Sequence, residues 1–456
     1  MVFQPSPREF AAEERLLNEP IYKKARDKIV GFITRLQAAR SPEDYVELHR
    51  SVLAHFIAYQ ETADEAVVQR MEIRGRIREL AREGPKPMEA IQEQQVLLER
   101  VVREETTLKA VHHLIRAVGD GIAWRALRYD RRALTVLGEG ERVGRVASGI
   151  GRDAELTALA NLWEDEGQFA IHNDMTNCLR HGDLTAIGER GGDVEVTIYE
   201  VKAGSSRDNA QLQRLERATE LLRTHLDPAG GGGDGGMLRV TPVPTRYETL
   251  LSALPGLVER AKAVGFDWIL PHPCLLVGAV DYRVWGNGDV DNFTERFAKM
   301  RAEVGWPGEE PEILDWISSL RRMRDRGHSF SSLAPFAIFP LAAEDVADVV
   351  SGPIDLFFSL HLARLEEALS RNGVSVRVAR PPESSTLFLE ASRGGRGVTV
   401  PPHLREQMMT ELVTPDCIFA AIDEILKLNE ANPSEAYDSR IVVFADERRA
   451  WEVEKT

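Results

Sequence analysis

Cysteine is scarce in this chain of 456 residues: Cys178, Cys274 and Cys417 are the three it has, far apart and with no CxxC pair. That spacing excludes a disulfide framework and a cysteine-ligated zinc site, and it suits a reducing compartment. Long apolar runs are missing too, with no stretch of about 18 uncharged apolar residues. The opening MVFQPSPREFAAEERLL has no basic segment leading into a hydrophobic one. The expectation is a cytoplasmic protein that neither follows a secretion route nor spans a membrane. There is no GxxxxGK[ST] loop, hence no P-loop motor, and no GxSxG elbow for a serine nucleophile. LGEGERVG at 137–144 has the wrong glycine spacing for a dinucleotide loop.

What is present is an ordinary globular composition, 43% hydrophobic and 28% charged, long enough for roughly two to four domains. The net charge is -15, but it is unevenly spread. Residues 1–150 carry 25 Lys and Arg against 23 Asp and Glu, and the remainder carries 32 against 49. An acidic total argues against non-specific coating of nucleic acid, whereas a carboxylate-rich site for metal-dependent phosphate chemistry is compatible with it.

The first 130 residues read as helices. Ser41-Pro42-Glu43-Asp44 is an N-cap followed by a proline and first-turn acids, and Tyr45, Leu48, Val52, Phe56 and Ile57 supply an apolar face. Ile91, Leu98, Val101, Leu108, Val111, Ile115 and Val118 predict a second helix of about 30 residues, interrupted at Glu105 and ending near Gly119. Such helices either pack on their neighbours or form a coiled-coil interface between copies of the chain. Arg74, Arg78 and Arg82 form a basic stripe, joined by Arg125, Arg128, Arg131 and Arg132. A solvated face and a phosphate-contacting face are both open for these arginines.

From about residue 141 the pattern becomes α/β. GRDAELTALANLWEDEG reads as a helix, QFAIHN, HGDLTAI and VEVTIYEVK as strands, and RDNAQLQRLERATELLRTHL as a helix. PAGGGGDGGM at 228–237 reads as an exposed loop. A helix around 247–264, a strand CLLVGAVDY, a helix DLFFSLHLARLEEALSRNG, a strand VSVRVAR, a helix DCIFAAIDEILKLN and a strand RIVVFAD follow. The division expected is a helical region over 1–140, an α/β core over 141–285 and a C-terminal α/β region over 286–456.

With Gly191-Gly192 as a two-residue turn, Ile187 faces Val196, Thr185 faces Ile198 and Asp183 faces Glu200. Two carboxylates directly opposed destabilise a hairpin unless positive charge lies between them. Alternation puts Lys202 on the same face as Glu200. Asp183 and Glu200 suit Mg²⁺ or Mn²⁺, which need one or two carboxylates plus water and substrate phosphate. Lys202 would hold or deprotonate the nucleophile. A longer loop through Gly188–Asp193 would shift the register by one and separate the carboxylates.

Asp183 followed by Glu200-Val201-Lys202 on the next strand resembles the PD-(D/E)XK nuclease superfamily, the restriction-endonuclease-like fold. The resemblance covers residues 155–217 and departs from the pattern in having Gly182, not proline, before Asp183. It implies a mixed-sheet core within 141–285, metal binding by Asp183, Glu200 and the Val201 carbonyl, and catalytic support from Lys202. It also implies auxiliary roles for Glu155 on the preceding helix and for Gln211, or Gln213, on the following one. His172 and His181 flank the site. They read as structural histidines with phosphate contact as the alternative. His112-His113 read as a half-buried pair, and His272-Pro273-Cys274 lacks further ligands for a metal.

The expected function is a Mg²⁺-dependent nuclease acting on DNA, in a restriction or anti-phage setting, with a partner protein encoded nearby; repair or recombination is the competing setting. The alternative is a non-catalytic interaction or assembly protein with a structural or eroded nuclease fold.

Overall fold

A computed structural model describes residues 14–82, 88–138, 144–190, 193–202, 209–224, 226–227, 237–285, 293–306, 313–317, 335–379, 388–400, 402–431 and 437–445. The loop at 228–236 and the Gly191-Gly192 turn lie outside them.

Helices dominate the first third: α1 (Pro20–Ala38), α2 (Pro42–Leu80), α3 (Met88–Ala126) and α4 (Arg131–Gly138). The start of α2 is the capping box its sequence announces. Ser41 Oγ accepts from the Asp44 N–H at 3.3 Å, and the Asp44 carboxylate accepts from the Ser41 N–H at 3.0 Å.

Helix α3 departs from expectation twice. It runs unbroken through Glu105, which is buried because Arg70 on α2 (3.1 Å) and Lys109 (2.5 Å) neutralise it. It also continues seven residues past Gly119. Gly119 and Gly121 are not terminators; they are points of close approach. A Cβ on Gly119 would lie 2.0 Å from the Met175 carbonyl oxygen, and one on Gly121 would lie 2.7 Å from Leu36 Cδ2.

Arg131 is no surface arginine. It is buried, paired with Glu411 and stacked 5.1 Å over Trp124, whereas Arg74, Arg78 and Arg82 are exposed. His112 is half-buried and stacks on Phe56 at 5.0 Å.

The α/β part begins with α5 (Ile150–Glu164). It leads into an antiparallel meander of β1 (Phe169–His172), β2 (Leu184–Arg190) and β3 (Asp193–Tyr199). Then come α6 (Asn209–Thr224), β4 (Leu226–Asp227), β5 (Met237–Arg246), α7 (Leu254–Val264), β6 (Phe266–His272), β7 (Leu275–Asp281), the single turn α8 (Tyr282–Trp285), α9 (Phe293–Glu303) and β8 (Ile313–Ile317). The chain continues through α10 (Ala343–Ser351), β9 (Ile354–His361), α11 (Leu362–Leu369), β10 (Ser375–Ala379), β11 (Phe388–Arg393), β12 (Arg396–Val400), α12 (Pro402–Thr410), α13 (Pro415–Ala431) and β13 (Tyr437–Ala445).

Besides the meander, the described strands form β10-β11-β12, β13-β5-β4 and β6-β7-β9-β8. β13 and β5 are parallel; the other pairs are antiparallel.

Asp355–His361, expected as the first part of a helix, belongs to strand β9. All eight of its residues are buried between β7 and β8, and an apolar run covered on both faces carries no period to read. Only the following Leu362–Leu369 is helical.

The protein is therefore mixed α/β, with small, mostly antiparallel sheets behind an N-terminal helical region. One apolar cluster runs from Leu16 to Leu426. Polar ties cross it as well: the Tyr22 hydroxyl donates to the Ser351 carbonyl at 2.6 Å, and Arg26 pairs with the buried Asp348. Among the described residues no helix is long and apolar enough to cross a membrane.

Candidate functional site

The hairpin register is the expected one. Ile187 pairs with Val196 and Thr185 with Ile198, and the ladder ends at Leu184 and Tyr199, one step short of Asp183 and Glu200. There the Asp183 N–H donates to the Tyr199 carbonyl at 2.8 Å, and Asp183 Oδ2 accepts from the Val201 N–H at 2.6 Å. Gly182 has φ +68°, and a Cβ on it would lie 2.7 Å from the Tyr199 carbonyl oxygen. Proline, fixed near φ -65°, cannot occupy that conformation, so the departure from the nuclease pattern has a local steric cause.

Lys202 Nζ pairs with Glu200 Oε1 on one face, as alternation requires, while Glu200 Oε2 is buried without a hydrogen-bond partner. Glu155 comes to the same place from α5. It is buried, and its Oε2 lies 3.1 Å from His172 Nε2 at the end of β1. Wholly buried, His172 serves as a support for Glu155 and has no exposed surface with which to meet a phosphate. Gln211 falls in the first turn of α6, and its side chain lies outside the described structure; Gln213 is exposed.

A fourth carboxylate, Asp174, went unrecognised in the sequence. It sits in the short 3-10 turn Asn173–Met175 after β1. Arg116 of α3 donates to its carbonyl (3.0 Å) and to that of Gly144 (2.7 Å). Gly144 leaves room for the carboxylate, since a Cβ there would sit 1.9 Å from Asp174 Oδ1. The signal available was an acid immediately after a strand that ends beside the hairpin. Asn173 braces the same corner: it donates to the carbonyls of His181 (2.7 Å) and Gly182 (3.2 Å) and accepts from Thr185 Oγ1 (2.8 Å).

The four acids feel one another. Burial pushes the Asp183 carboxyl up to about 6, with Glu200, Glu155 and Asp174 adding to the rise against the Val201 N–H. Burial likewise raises Asp174, opposed by His172 and Arg116 and reinforced by Glu155 and Glu200.

This donor set fits a hard divalent cation, because it is carboxylate oxygen with one orphaned, buried oxygen on Glu200. Yet among the described residues no three His, Cys, Asp or Glu side chains form a group that could hold an ion. Asp183 is engaged by Val201, Glu200 by Lys202 and Glu155 by His172. His272 and Cys274 contact each other at 3.0 Å, away from these acids in chain position, and burial pushes the Cys274 thiol up to about 12.

Behind Glu155 lies a second histidine. His49 of α2 is wholly buried; its Nε2 accepts from the His172 N–H at 3.0 Å, and Trp163 packs edge-on at 5.2 Å. Burial, with His172 adding, depresses its pKa to about 3. The unfolded chain takes up that proton near pH 6.5. Stability contributed by neutral His49 is therefore present above pH 6.5 and lost as the pH falls toward 3, by about 2 kcal/mol between pH 7 and pH 5. Urea unfolding at those two pH values should show a shallower acid loss in His49→Gln, whose amide oxygen can still accept from His172. Equal losses in both proteins would remove His49 as the cause.

No protein-family model, curated protein or solved structure matches this chain.

Proposed function

We propose that the protein is a metal-dependent nuclease with a restriction-endonuclease-like core, using Mg²⁺ or Mn²⁺ and acting on DNA. The observation that carries this reading is the meeting of Glu155, Asp174, Asp183 and Glu200 with Lys202 at one end of the β1–β3 meander, where an unpartnered Glu200 oxygen and a raised Asp183 pKa mark uncompensated negative charge.

Asp183 and Glu200, with the Val201 carbonyl, would hold the ion. When bound, it acidifies a water molecule and polarises the phosphoryl oxygen. Lys202, already placed beside Glu200, orients the attacking water and offsets charge on the phosphate. Glu155, braced by His172, is near enough to Asp183 for its charge to raise that carboxyl's pKa. Asp174, braced from α3, adds to the field that favours a cation.

A free nuclease endangers its own genome. A restriction or anti-phage setting, with the flanking regions or a partner encoded nearby supplying restraint, extends the same proposal by analogy.

The test is cleavage of supercoiled, linear and single-stranded DNA and of RNA with Mg²⁺, Mn²⁺ or EDTA, wild type beside Lys202→Ala. Metal-dependent cutting of DNA, reduced roughly 100-fold in the variant, is expected. Cutting at the wild-type rate in Lys202→Ala rejects the site.

A catalytically silent form of the same fold is favoured by one observation, that three of the four acids, Asp183, Glu200 and Glu155, already have a protein partner. It predicts no cutting and no rise in melting temperature with Mg²⁺, which a folded-state ligand would produce.

A further inference from the structure

Many arginines among the described residues have an acid as partner. Arg26, Arg50, Arg70, Arg145 and Arg152 each pair with an acid, and Arg131 does so in the core. Arg74, Arg78 and Arg82 are different. They are exposed, they follow one another at four-residue steps along the end of α2 and the turn after it, and among the described residues none forms an ion pair. In a chain of net charge -15, three exposed cations at four-residue spacing that pair with no acid among the described residues, although Glu72 and Glu79 lie on the same stretch, point to an anionic partner.

Helix α2 also ties that stripe to the candidate site. Arg50 binds Glu164, and Glu61 binds Arg152, at the two ends of α5, the helix that carries Glu155. Asp64, one turn beyond Glu61, pairs with Arg145. Arg74 and Arg78 lie about seven and eight helical turns past His49, whose ring meets the His172 N–H, so they emerge on that side of α2, and Arg82 follows two residues beyond its end. At about 1.5 Å per residue, Arg74 stands about 20 Å along α2 from Glu61 and Arg78 about 25 Å, with Arg82 beyond the helix end.

We propose that Arg74, Arg78 and Arg82 form a phosphate-tracking face for duplex DNA engaged at the Glu155–Lys202 site. The inference rests on the proposed nuclease reading and gives its substrate a second point of contact. Four-residue steps of about 6 Å match roughly two nucleotides of one strand, at about 3.4 Å each. A duplex seated at the site and running along α2 meets the stripe roughly six to nine base pairs from the scissile phosphate. The contact is to backbone and carries no sequence preference.

The experiment measures binding of the full-length protein to hairpin-capped duplexes of about 5 and 30 base pairs in EDTA, over a salt series, for wild type and the triple variant Arg74→Ala/Arg78→Ala/Arg82→Ala. The variant is expected to lose roughly 10-fold or more in affinity for the long duplex, and its salt dependence should flatten by about three counterions. The short duplex, which cannot span from site to stripe, should bind both proteins alike. Equal affinity of both proteins for the long duplex overturns the proposal, as does a loss of the same size on the short one. A fall in molecular mass on light scattering with DNA affinity unchanged makes the stripe a protein interface and also overturns it. Because the assay contains no metal and scores binding, the nuclease reading fails separately, through absent cleavage of a duplex that still binds at the stripe.

Discussion

Asp183→Asn should abolish cleavage and at the same time make the protein more stable. Activity is expected to fall roughly 100-fold or more, since the change removes a charge at the centre of the acidic site. The stability gain has a definite pH window. Asp183 titrates at about 6 in the folded chain, against an ordinary value of 3.8. Its folded pKa is raised, so its contribution is most favourable below about 3.8 and is lost as the pH rises through 6. Asparagine mimics the protonated form and can still accept from the Val201 N–H, the one bond the carboxylate makes to the backbone beside it. At pH 8, in EDTA, the variant should be more stable by about 1–2 kcal/mol once solvent screening of a partly exposed group is allowed for. The gap should close toward pH 4, and Mg²⁺ should narrow it at pH 8 by stabilising the wild type alone. Urea unfolding of both proteins under these four conditions decides the matter. A D183N protein less stable than wild type at pH 8 would mean that Asp183 is a structural acceptor and not one of a repelling set.

Gly119→Ala should cost about 3–5 kcal/mol, although alanine is the better helix former. The added methyl would meet the Met175 carbonyl oxygen at 2.0 Å, a backbone contact that no rotamer change relieves. Pushing that turn away also pulls on Asp120, whose buried carboxylate accepts from the N–H groups of Asn177 (2.5 Å) and Cys178 (3.0 Å) and from Asn177 Nδ2 (2.8 Å). Breaking these leaves buried polar groups unsatisfied. The displaced segment carries Asn173 and Asp174, so the acidic site should loosen with it. Gly31→Ala is the matched control, because nothing lies within 4 Å of its Cβ position. It should stabilise the chain by about 0.5–1 kcal/mol. Denaturation midpoints that move alike in the two variants would refute the close-approach explanation.

Much of the site was legible because it is local. The 191–192 glycine pair and the alternation of Val194, Val196 and Ile198 define a register, and register alone brings Asp183, Glu200 and Lys202 to one end of a hairpin. The α2 cap was equally readable, since Ser41, Pro42 and Asp44 interact within one turn. Other features escaped for definable reasons. The continuation of α3 depends on what crosses Gly119 and neutralises Glu105, and both partners come from distant sequence. Strand β9 looks helical because burial on two faces erases its period.

Short-range chemistry therefore determined the helical opening, the change to α/β and the pairing of the three hairpin residues, each set by contacts between residues close in the chain. Glu155 was expected from the resemblance, but only the tertiary structure decided that Asp174 joins the set, that His49 and His172 stand behind Glu155, and that Arg131 is a core ion pair while Arg74, Arg78 and Arg82 form no ion pair among the described residues. Those outcomes depend on which surfaces exclude water from one another, and burial is a property of the packed chain that no local pattern encodes.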